Sequence, residues 1–366
     1  MTTAANFTEQ VLGVGRACGL TAVGVARAAI LQPARQVLHL RKAEGLADVM
    51  QFTYRNPDRS TDPERSLPGV RSLVAGAFGY ADGPVQAGPA PVSGSPAGRV
   101  ARYAQRDYYA ELRLGLEAMA SVLRDAGHRA EVHADDNHLV DRNVAYAAGL
   151  GWYGKNANLL LAGQGSWFVL GAVATTAVLD PTGPPVDDGC HTCRRCIDSC
   201  PTDAIVAPGV VDARRCLAWL VQGPGPIPVE FREAVGDRIY GCDDCQEVCP
   251  PNRENVGLEA SSSVDGALDA FIELSFLLTA DDATLLQRVG RWYIANRDPD
   301  VVRRTALVVL GNIGDPTAPE TVELLAPYLV HSSPLLREHA QWAACRLGIE
   351  PVPFGQAPLD HGQRAP

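Results

Sequence analysis

The sequence predicts an α+β multidomain fold, in which an α/β domain precedes a small cysteine-rich domain and a C-terminal helical repeat. Three observations lead to this prediction: strand and helix patterns alternate through residues 1–180, eight cysteines fall between residues 190 and 249, and two tail segments match at an offset of 34 residues. A chain of 366 residues also exceeds the ~250–300 residues at which a single core stops growing. We therefore expect domains over residues 1–180, 181–260 and 261–350, followed by a tail over residues 351–366.

The α/β domain is predicted from short apolar runs that alternate with periodic helical segments. Predicted strands lie at Ala22–Ala26, Ser72–Tyr80, Arg129–His133 and Trp167–Leu179. Predicted helices lie at Ala5–Cys18, Ala34–Glu44, Tyr108–Ala126 and Leu139–Ala148. Asp135 lies between the third strand and the fourth helix, at a junction where functional side chains often occur. Residues 82–98 are so rich in Gly, Pro, Ala and Ser that we expect an exposed loop within the domain.

The tail carries a repeated helical pattern. Val302–Gly314 and Leu336–Gly348 align at an offset of 34 residues, which matches Arg303 with Arg337. This period is typical of solenoids built from paired helices, so we expect C-terminal α-helical HEAT-like repeats. Chance similarity between two amphipathic helices is the alternative interpretation.

Composition and charge argue against several classes of protein. The net charge is −10, from 32 basic and 42 acidic residues, which argues against indiscriminate coating of nucleic acid but leaves room for a local basic face. The N-terminus lacks both a basic-apolar export signal and a twin-arginine signal, and the longest apolar stretch, Trp167–Leu179, is shorter than the ~20 residues that span a bilayer. We expect a cytoplasmic protein with no membrane partner.

The cysteine spacing is the most specific pattern in the chain. The run Cys190-x2-Cys193-x2-Cys196-x3-Cys200-Pro is followed by Cys216 and then by Cys242-x2-Cys245-x3-Cys249-Pro. Such runs bind cubane iron–sulfur clusters through thiolates, and in a reducing compartment clustered cysteines are more often ligands than disulfides. They predict a bacterial-type ferredoxin domain with two [4Fe–4S] clusters.

In two-cluster ferredoxins the cysteine before proline crosses to the other cluster. This rule assigns Cys190, Cys193, Cys196 and Cys249 to one cluster, and Cys200, Cys216, Cys242 and Cys245 to the other. A pair of zinc sites is the alternative, but zinc ribbons explain neither three cysteines at x2 spacing nor the two Cys-Pro endings. We expect the two remaining cysteines, Cys18 and Cys345, to be ordinary buried thiols in helices.

Two clusters imply one-electron transfer. A ferredoxin-like segment inside a longer chain more often connects an external donor to an internal redox centre than forms the whole function. We expect the acceptor within residues 1–180, where no Gly-x-Gly-x-x-Gly string indicates a Rossmann flavin or nicotinamide site.

Several strings resemble one enzyme family in the same order along nearly the whole chain. They are Met50–Val74, ADDNHLVDRNVAYAAGLGWYGKNANLL from Ala134, GSWFVLG from Gly165, the cysteine pattern and Ser332–Ala343. By these strings the sequence resembles the epoxyqueuosine reductases. It is more distantly similar to the reductive dehalogenases, which are usually exported through twin-arginine signals.

This resemblance implies an oxidoreductase that reduces epoxyqueuosine to queuosine at the wobble position of a tRNA anticodon, the last step of queuosine biosynthesis. It implies base-off cobalamin in the α/β domain, alongside the two [4Fe–4S] clusters. The implied partners are the tRNA anticodon stem-loop, held with the help of the HEAT-like tail, and an external one-electron donor such as flavodoxin or ferredoxin. Because the family binds cobalamin without a histidine ligand, we do not assign His138 to cobalt.

The resemblance also assigns site residues. The family's general acid corresponds to Asp135, upstream of Arg142, although the residues alone favour a helix cap or a solvated pair with Asp136. Such a pair would raise one carboxyl pKa, which suits a proton donor near neutral pH. Besides Asp135, cobalamin contacts are expected at Arg55, Lys155, Leu159, Cys245 and Gln246. The alternatives are a surface charge for Arg55, a cap of the glycine-rich turn for Lys155 and a core position for Leu159.

For tRNA, the tail offers six arginines with two aromatic residues between them. They are Arg288, Arg291, Arg297, Arg303, Arg304 and Arg337, with Trp292 and Tyr293. Such a set can follow phosphates and stack on an unpaired base. A solvated helix face is the alternative interpretation.

Two segments depart from the family pattern. Tyr103–Tyr109 is one residue shorter than usual and has Tyr109 where many members have histidine, and Asp136–His138 replaces small residues and a proline. Both segments are expected near the substrate. They leave open a cytoplasmic cobalamin-dependent reductase of a small epoxide or organohalide, and a non-catalytic iron–sulfur electron carrier is a further alternative.

Overall fold

The structure is a computed structural model that describes residues 4–80, 95–254 and 270–349. The chain before the cysteines forms α1 (Ala4–Ala17), β1 (Ala22–Arg27), α2 (Gln32–Ala43), α3 (Phe52–Arg55), α4 (Pro57–Ser60), α5 (Pro63–Ser66), β2 (Ser72–Gly79), β3 (Ala97–Val100), α6 (Tyr108–Asp125), β4 (Ala130–Ala134), α7 (Asp141–Ala147), β5 (Gly151–Tyr153), β6 (Leu159–Leu161) and β7 (Phe168–Thr175).

A four-stranded sheet in the order β1-β2-β7-β4 is the centre of this part, and its three strand pairs are antiparallel. α1 and α6 pack on one face and α7 on the other, so β2 and β7 are buried along nearly their whole length. The four predicted strands are confirmed as β1, β2, β4 and β7. The helix predicted from Leu139 begins two residues later, at Asp141.

The longest helix of this part, α6, forms where its side-chain pattern predicts. Leu112, Leu116, Met119 and Leu123 follow one helix face and are fully buried against the sheet. A side-chain oxygen of Asp107 accepts a 3.0 Å hydrogen bond from the amide of Ala110 and caps the first turn. Gly127 then adopts the left-handed conformation that ends the helix, with φ 85°.

The cysteine-rich segment forms short elements separated by turns. They are α8 (Arg195–Asp198), β8 (Ile205–Ala207), β9 (Val210–Val211), α9 (Leu217–Leu220), α10 (Val229–Val235), β10 (Arg238–Tyr240), α11 (Asp244–Glu247) and α12 (Pro250–Glu254). The tail follows with β11 (Phe271–Glu273), α13 (Leu274–Thr279), α14 (Asp282–Arg288), α15 (Pro299–Ile313), α16 (Pro319–Leu329) and α17 (Pro334–Leu347).

A second sheet joins distant parts of the chain. β3 pairs in parallel with β10 and antiparallel with β11, so its three strands come from the three predicted domains. One hydrophobic core extends from Val100 through Leu217 and Leu274 to Ala344. Because the sheet and this core are shared between segments, the structure does not separate the predicted domains, and their boundaries stay a prediction.

The two matched tail segments form α15 and α17, which pack against each other. Gly311 permits this approach, because a β-carbon there would lie 2.8 Å from the Trp342 ring and 2.9 Å from the Ala343 backbone. The helices are present as the sequence predicts, and their classification as HEAT-like repeats stays a prediction.

Two local predictions are corrected by the structure. Cys18 and Cys345 are exposed thiols, because they lie at the outer faces of their helical segments rather than in the core. Of the loop predicted at residues 82–98, residues 82–94 lie outside the described residues, and residues 97–98 begin β3, whose backbone pairs with two strands. The predicted tail at residues 351–366 also lies outside the described residues.

Candidate active site and cysteine centres

Asp135 directly follows the last residue of β4. Its φ of 56° places it in the left-handed region, which is uncommon for residues other than glycine and is often found at functional sites. The helix cap considered from the sequence is wrong, because α7 begins six residues later and has no side-chain cap. The Asp135 residue is exposed to solvent.

The surroundings of Asp135 favour its protonated form. Desolvation by the neighbouring protein raises the pKa of this carboxyl, and the charges of Asp136 and Asp107 raise it further. The guanidinium of Arg113 opposes that rise in pKa. The same guanidinium donates a 2.8 Å hydrogen bond to the carbonyl of Ala134, so it also holds the end of β4 that carries Asp135.

The charge of Asp135 affects the pKa of residues in two elements that are distant in the sequence. It raises the pKa of Tyr109 on α6 and of Tyr240 on β10, although burial is the main cause in both phenols. A third carboxyl, Asp141, has its pKa raised well above the ordinary value by burial and then by Asp136 and Asp135. Asp135 therefore lies where the first sheet meets the cysteine-rich segment. Sequence reasoning missed Asp141, whose only signal is the Val-Asp-Arg string.

The first cysteine group surrounds one cavity. Cys190, Cys193, Cys196 and Cys249 line it together with Lys155, Asn156, Leu160, Arg195 and Pro250. The structure thus brings together the four cysteines that the sequence assigned to one cluster. Burial raises the pKa of Cys249 to about 12, and the neighbouring thiols of Cys196, Cys190 and Cys193 add to the rise.

The second cysteine group lies deeper among apolar residues. Burial raises the pKa of Cys216, Cys242 and Cys245. Neighbouring thiols of the group add to these rises. Cys200 contributes to the raised pKa of Cys216, and Cys216 contributes to the raised pKa values of Cys242 and Cys245. Thiols of this kind form thiolates when a metal binds. Four cysteines in each of two groups fit the donor set that two cubane clusters require.

The two groups adjoin each other but differ in exposure. The charge of Cys196, from the first group, contributes to the raised pKa of Cys245 in the second. None of residues 187–199, all of them described, is buried. Around the second group, by contrast, Leu217, Tyr240 and Gln246 are buried. The first group therefore lies near the surface and the second faces the region of Asp135.

The other residues assigned to cobalamin have different surroundings. Arg55 is exposed at the end of α3, and Leu159 is 2% exposed in the core. The ammonium of Lys155 donates to the carbonyls of His191 and Cys193, at 2.6 and 2.8 Å, so it holds the loop of the first cysteine group. Buried Gln246 accepts a 2.9 Å hydrogen bond from Ser166. Contact of these side chains with cobalamin stays a prediction, and Lys155 already has other partners.

One of the six tail arginines cannot contact tRNA as the sequence predicted. Arg304 is 1% exposed, and its guanidinium donates to the carbonyls of Leu220, Gly223 and Gly225. Trp292 is also buried, stacked on Tyr240 with ring centroids 4.4 Å apart. The pattern was misleading because both residues face the core of the tail. The three exposed members of the set are Arg288, Arg291 and Arg297.

Comparison with known proteins places the chain in a family. Residues 189–252 match the family described as a 4Fe-4S double cluster binding domain. An epoxyqueuosine reductase of Xanthomonas campestris is 34% identical over 324 residues, which cover 85% of this chain and 88% of that protein. The chain belongs to the epoxyqueuosine reductase family. It is therefore an oxidoreductase with a 4Fe–4S double-cluster domain.

Solved structures of epoxyqueuosine reductases have the same fold. One, with a tRNA-Tyr epoxyqueuosine-modified tRNA stem loop, matches with a TM-score of 0.85 and 27% identity, over 94% of this chain and 91% of that one. Another, from Bacillus subtilis with its catalytic loop swung out of the active site, matches with a TM-score of 0.83, 27% identity and the same coverage. Within the described parts of this epoxyqueuosine reductase family member, the helices are too short or too polar to cross a membrane.

Proposed function

We propose that the protein reduces epoxyqueuosine to queuosine at the wobble position of a tRNA anticodon, the last step of queuosine biosynthesis. The observation that carries this proposal is Asp135, a partly desolvated carboxyl with a raised pKa at the end of β4, in a chain of the epoxyqueuosine reductase family. The reaction adds two electrons and two protons to the epoxide, releases water and leaves an alkene. Family membership disfavours the small-molecule reductase and the electron carrier.

In this proposal Asp135 donates a proton to the oxygen that is freed when the epoxide opens. A raised pKa keeps a larger fraction of the carboxyl protonated near neutral pH, which favours general acid catalysis. Arg113 limits that rise but holds the strand end in place. Because the catalytic loop of the Bacillus subtilis relative is swung out of the active site, we propose that residues 135–140 move to admit substrate.

Cobalamin is proposed as the cofactor next to Asp135, and two arginines after β3 fit such a ligand. Nη2 of Arg102, and both Nε and Nη2 of Arg106, are buried without a hydrogen-bond partner among the described residues. Buried donors that lack partners are rare and suit a ligand rich in acceptor oxygens, such as the amides and phosphate of cobalamin. When bound, cobalamin would supply the metal centre that passes electrons to the epoxide.

The eight cysteines are proposed to hold two [4Fe–4S] clusters, which would carry the electrons one at a time. We propose that an external donor such as flavodoxin or ferredoxin meets the first group, because its loop is exposed. The second group would then deliver electrons toward Asp135, since Tyr240 lies two residues before Cys242 and is within electrostatic reach of that carboxyl.

We propose the anticodon stem-loop of tRNA as the substrate, as in the relative whose structure contains a modified stem loop. Arg288, Arg291 and Arg297 are the arginines of the predicted set that are exposed, so they are proposed to lie near phosphates. Arg288 ends α14, and Arg291 and Arg297 lie between α14 and α15. Phosphate contacts position a nucleic acid without reading its sequence.

The test is anaerobic turnover of an epoxyqueuosine-containing tRNA stem-loop by protein loaded with both clusters and cobalamin, with nucleosides quantified by mass spectrometry. Queuosine should form with the wild type, and Asp135→Asn should slow its formation by about 10²–10⁴-fold, the range typical of a positioned general acid. Asp125→Asn is the matched control, because Asp125 is an exposed carboxyl at the end of α6. Full activity of Asp135→Asn would remove Asp135 from the mechanism, and no queuosine from the wild type would overturn the proposed reaction.

A further inference from the structure

The end of β4 and the loop after it bring together three side chains of types that bind metals, outside the cysteine groups. Nδ1 of His133 lies 3.1 Å from Oδ2 of Asp136, and Nδ1 of His138 lies 3.3 Å from Oδ1 of the same carboxylate. The two imidazole rings are 5.2 Å apart and inclined by 30°. One ligand atom from each residue can be chosen so that all three lie within 4.8 Å of one another.

Two imidazole nitrogens in this group are buried without a hydrogen-bond partner among the described residues. They are Nε2 of His133 and Nδ1 of His138. The His133 side chain is 6% exposed, so its nitrogens have little access to water. A buried nitrogen without a partner costs free energy, and a bound cation would remove that cost at His138, whose Nδ1 faces the carboxylate.

Each histidine nitrogen is already at ligand spacing from the carboxylate. With metal–ligand bonds of about 2.0–2.1 Å, two ligands of a tetrahedral ion are about 3.3 Å apart. Nδ1 of His133 lies 3.1 Å from one oxygen of Asp136, and Nδ1 of His138 lies 3.3 Å from the other, so a small side-chain rotation is needed for both to share one ion. His138 is half exposed and lies in the loop, so its ring can turn toward the other two ligands, and water can occupy the remaining position.

The carboxylate is also held in place. The amide of His138 donates a 2.7 Å hydrogen bond to Oδ1 of Asp136, which fixes that side chain beside both imidazoles. Two imidazoles and one carboxylate are the ligand type that zinc prefers over magnesium or calcium. Asp136 and His138 belong to the segment in which this sequence departs from the family pattern.

We propose that His133, Asp136 and His138 bind one divalent transition-metal ion of the zinc class. The carboxylate ligand, Asp136, directly follows Asp135 in the chain, so the ion would lie beside the proposed general acid. The binding does not depend on the proposed role of Asp135.

Zinc binding is measured on cluster-loaded protein without cobalamin, in a Cys18→Ser/Cys345→Ser background, because those exposed thiols are competing ligands. Titration calorimetry with Zn²⁺ should give one site, and the zinc absorption edge should show nitrogen and oxygen neighbours without sulfur. His138→Ala should weaken binding by about 100-fold or more, since even the loss of an outer-shell partner costs 10–100-fold. His128→Ala, a histidine outside the group, should bind as before.

Asp136→Asn is a second variant that should also weaken zinc binding. Its side-chain oxygen can still accept the hydrogen bond from the amide of His138, so a folding defect in one variant does not decide the result. Binding that is unchanged in both variants, or a shell that contains sulfur, would overturn the site and leave a His–Asp–His hydrogen-bonded turn. Zinc binding is measured without any catalytic turnover. A protein that binds zinc at this site but forms no queuosine would therefore overturn only the proposed function.

Discussion

The two cysteine groups have the same ligands in different surroundings. The first lines a cavity beside an exposed loop, where Lys155 holds two backbone carbonyls. The second lies against the core shared with the tail, where buried side chains of α15 and α17 contact its connecting segment. The difference indicates that the first group depends on its own loop, whereas the second depends on the tail, although the tail contributes none of the eight cysteines.

The contacts from the tail to the second group are specific. Arg304 donates to the carbonyl of Leu220, the last residue of α9, and to that of Gly223, three residues later. Nε2 of His339 accepts a 3.1 Å hydrogen bond from the amide of Ile227. Deleting the tail would therefore disturb the redox centre as well as any tRNA contact, so such a deletion cannot separate tRNA binding from electron transfer.

Ligand removal should give the largest difference between the groups. Cys193→Ser and Cys216→Ser should each lose one cluster, about half of the bound iron. Only Cys216→Ser should also lower the unfolding midpoint strongly, because metal binding is coupled to folding and this group lies against the shared core. Iron analysis and thermal unfolding measure both effects, with exposed Cys18→Ser as control. Equal losses of stability in the two variants would contradict the comparison.

Arg304→Ala should come next, with a loss of at least about 3 kcal/mol in unfolding free energy. The substitution leaves buried carbonyls of the segment after Cys216 without donors, and each unsatisfied group costs about 1–3 kcal/mol. Arg346→Ala is the matched control, because the Arg346 side chain makes an exposed ion pair with Glu233 and lies over the Trp342 ring, and its removal should cost about 1 kcal/mol or less. Chemical denaturation measures the difference. Similar losses in both variants would contradict the stabilising role of the Arg304 hydrogen bonds.

His339 should make the tail side of the molecule sensitive to acid. Burial lowers the pKa of His339 from 6.5 to about 4, so between these values the unfolded chain binds a proton that the folded chain does not. Unfolding free energy should therefore fall as the pH drops through this window, by on the order of 2–3 kcal/mol. His339→Gln should reduce that slope. A slope that is unchanged in the variant would assign the acid sensitivity to other groups.

Lys155→Met should have the smallest effect and should be confined to the first group. The variant removes two hydrogen bonds from an ammonium to loop carbonyls and should lower stability by about 1–2 kcal/mol. Electron paramagnetic resonance of the reduced protein should show a change in one cluster signal and not in the other. Lys42→Met, which removes a similar bond to the carbonyl of Tyr54 at an exposed position, is the control.

Local sequence patterns predicted those features that depend on neighbouring residues. The spacing of Cys190, Cys193 and Cys196 predicted which thiols meet, because a short loop limits their positions. The position of Asp135 after a strand followed from the apolar run before it. Features that depend on long-range pairing were not predictable, such as β3 between β10 and β11.

The burial of Arg304 shows why a residue type alone was insufficient. α15 is buried on most of its surface, so arginine at this position faces carbonyls that only the folded chain brings near. The pairing of His133 with Asp136 and His138 was also missed, because the left-handed turn at Asp135 that shapes the loop leaves no clear local pattern.

The central place of β3 in the second sheet has a consequence for how this chain can be divided. Because its two neighbours come from the cysteine-rich segment and the tail, a fragment that ends before residue 190 would leave both edges of β3 unpaired. Unpaired strand edges promote association between copies. The α/β part expressed alone would therefore tend to aggregate, and the three segments are expected to become soluble only as one cooperative unit.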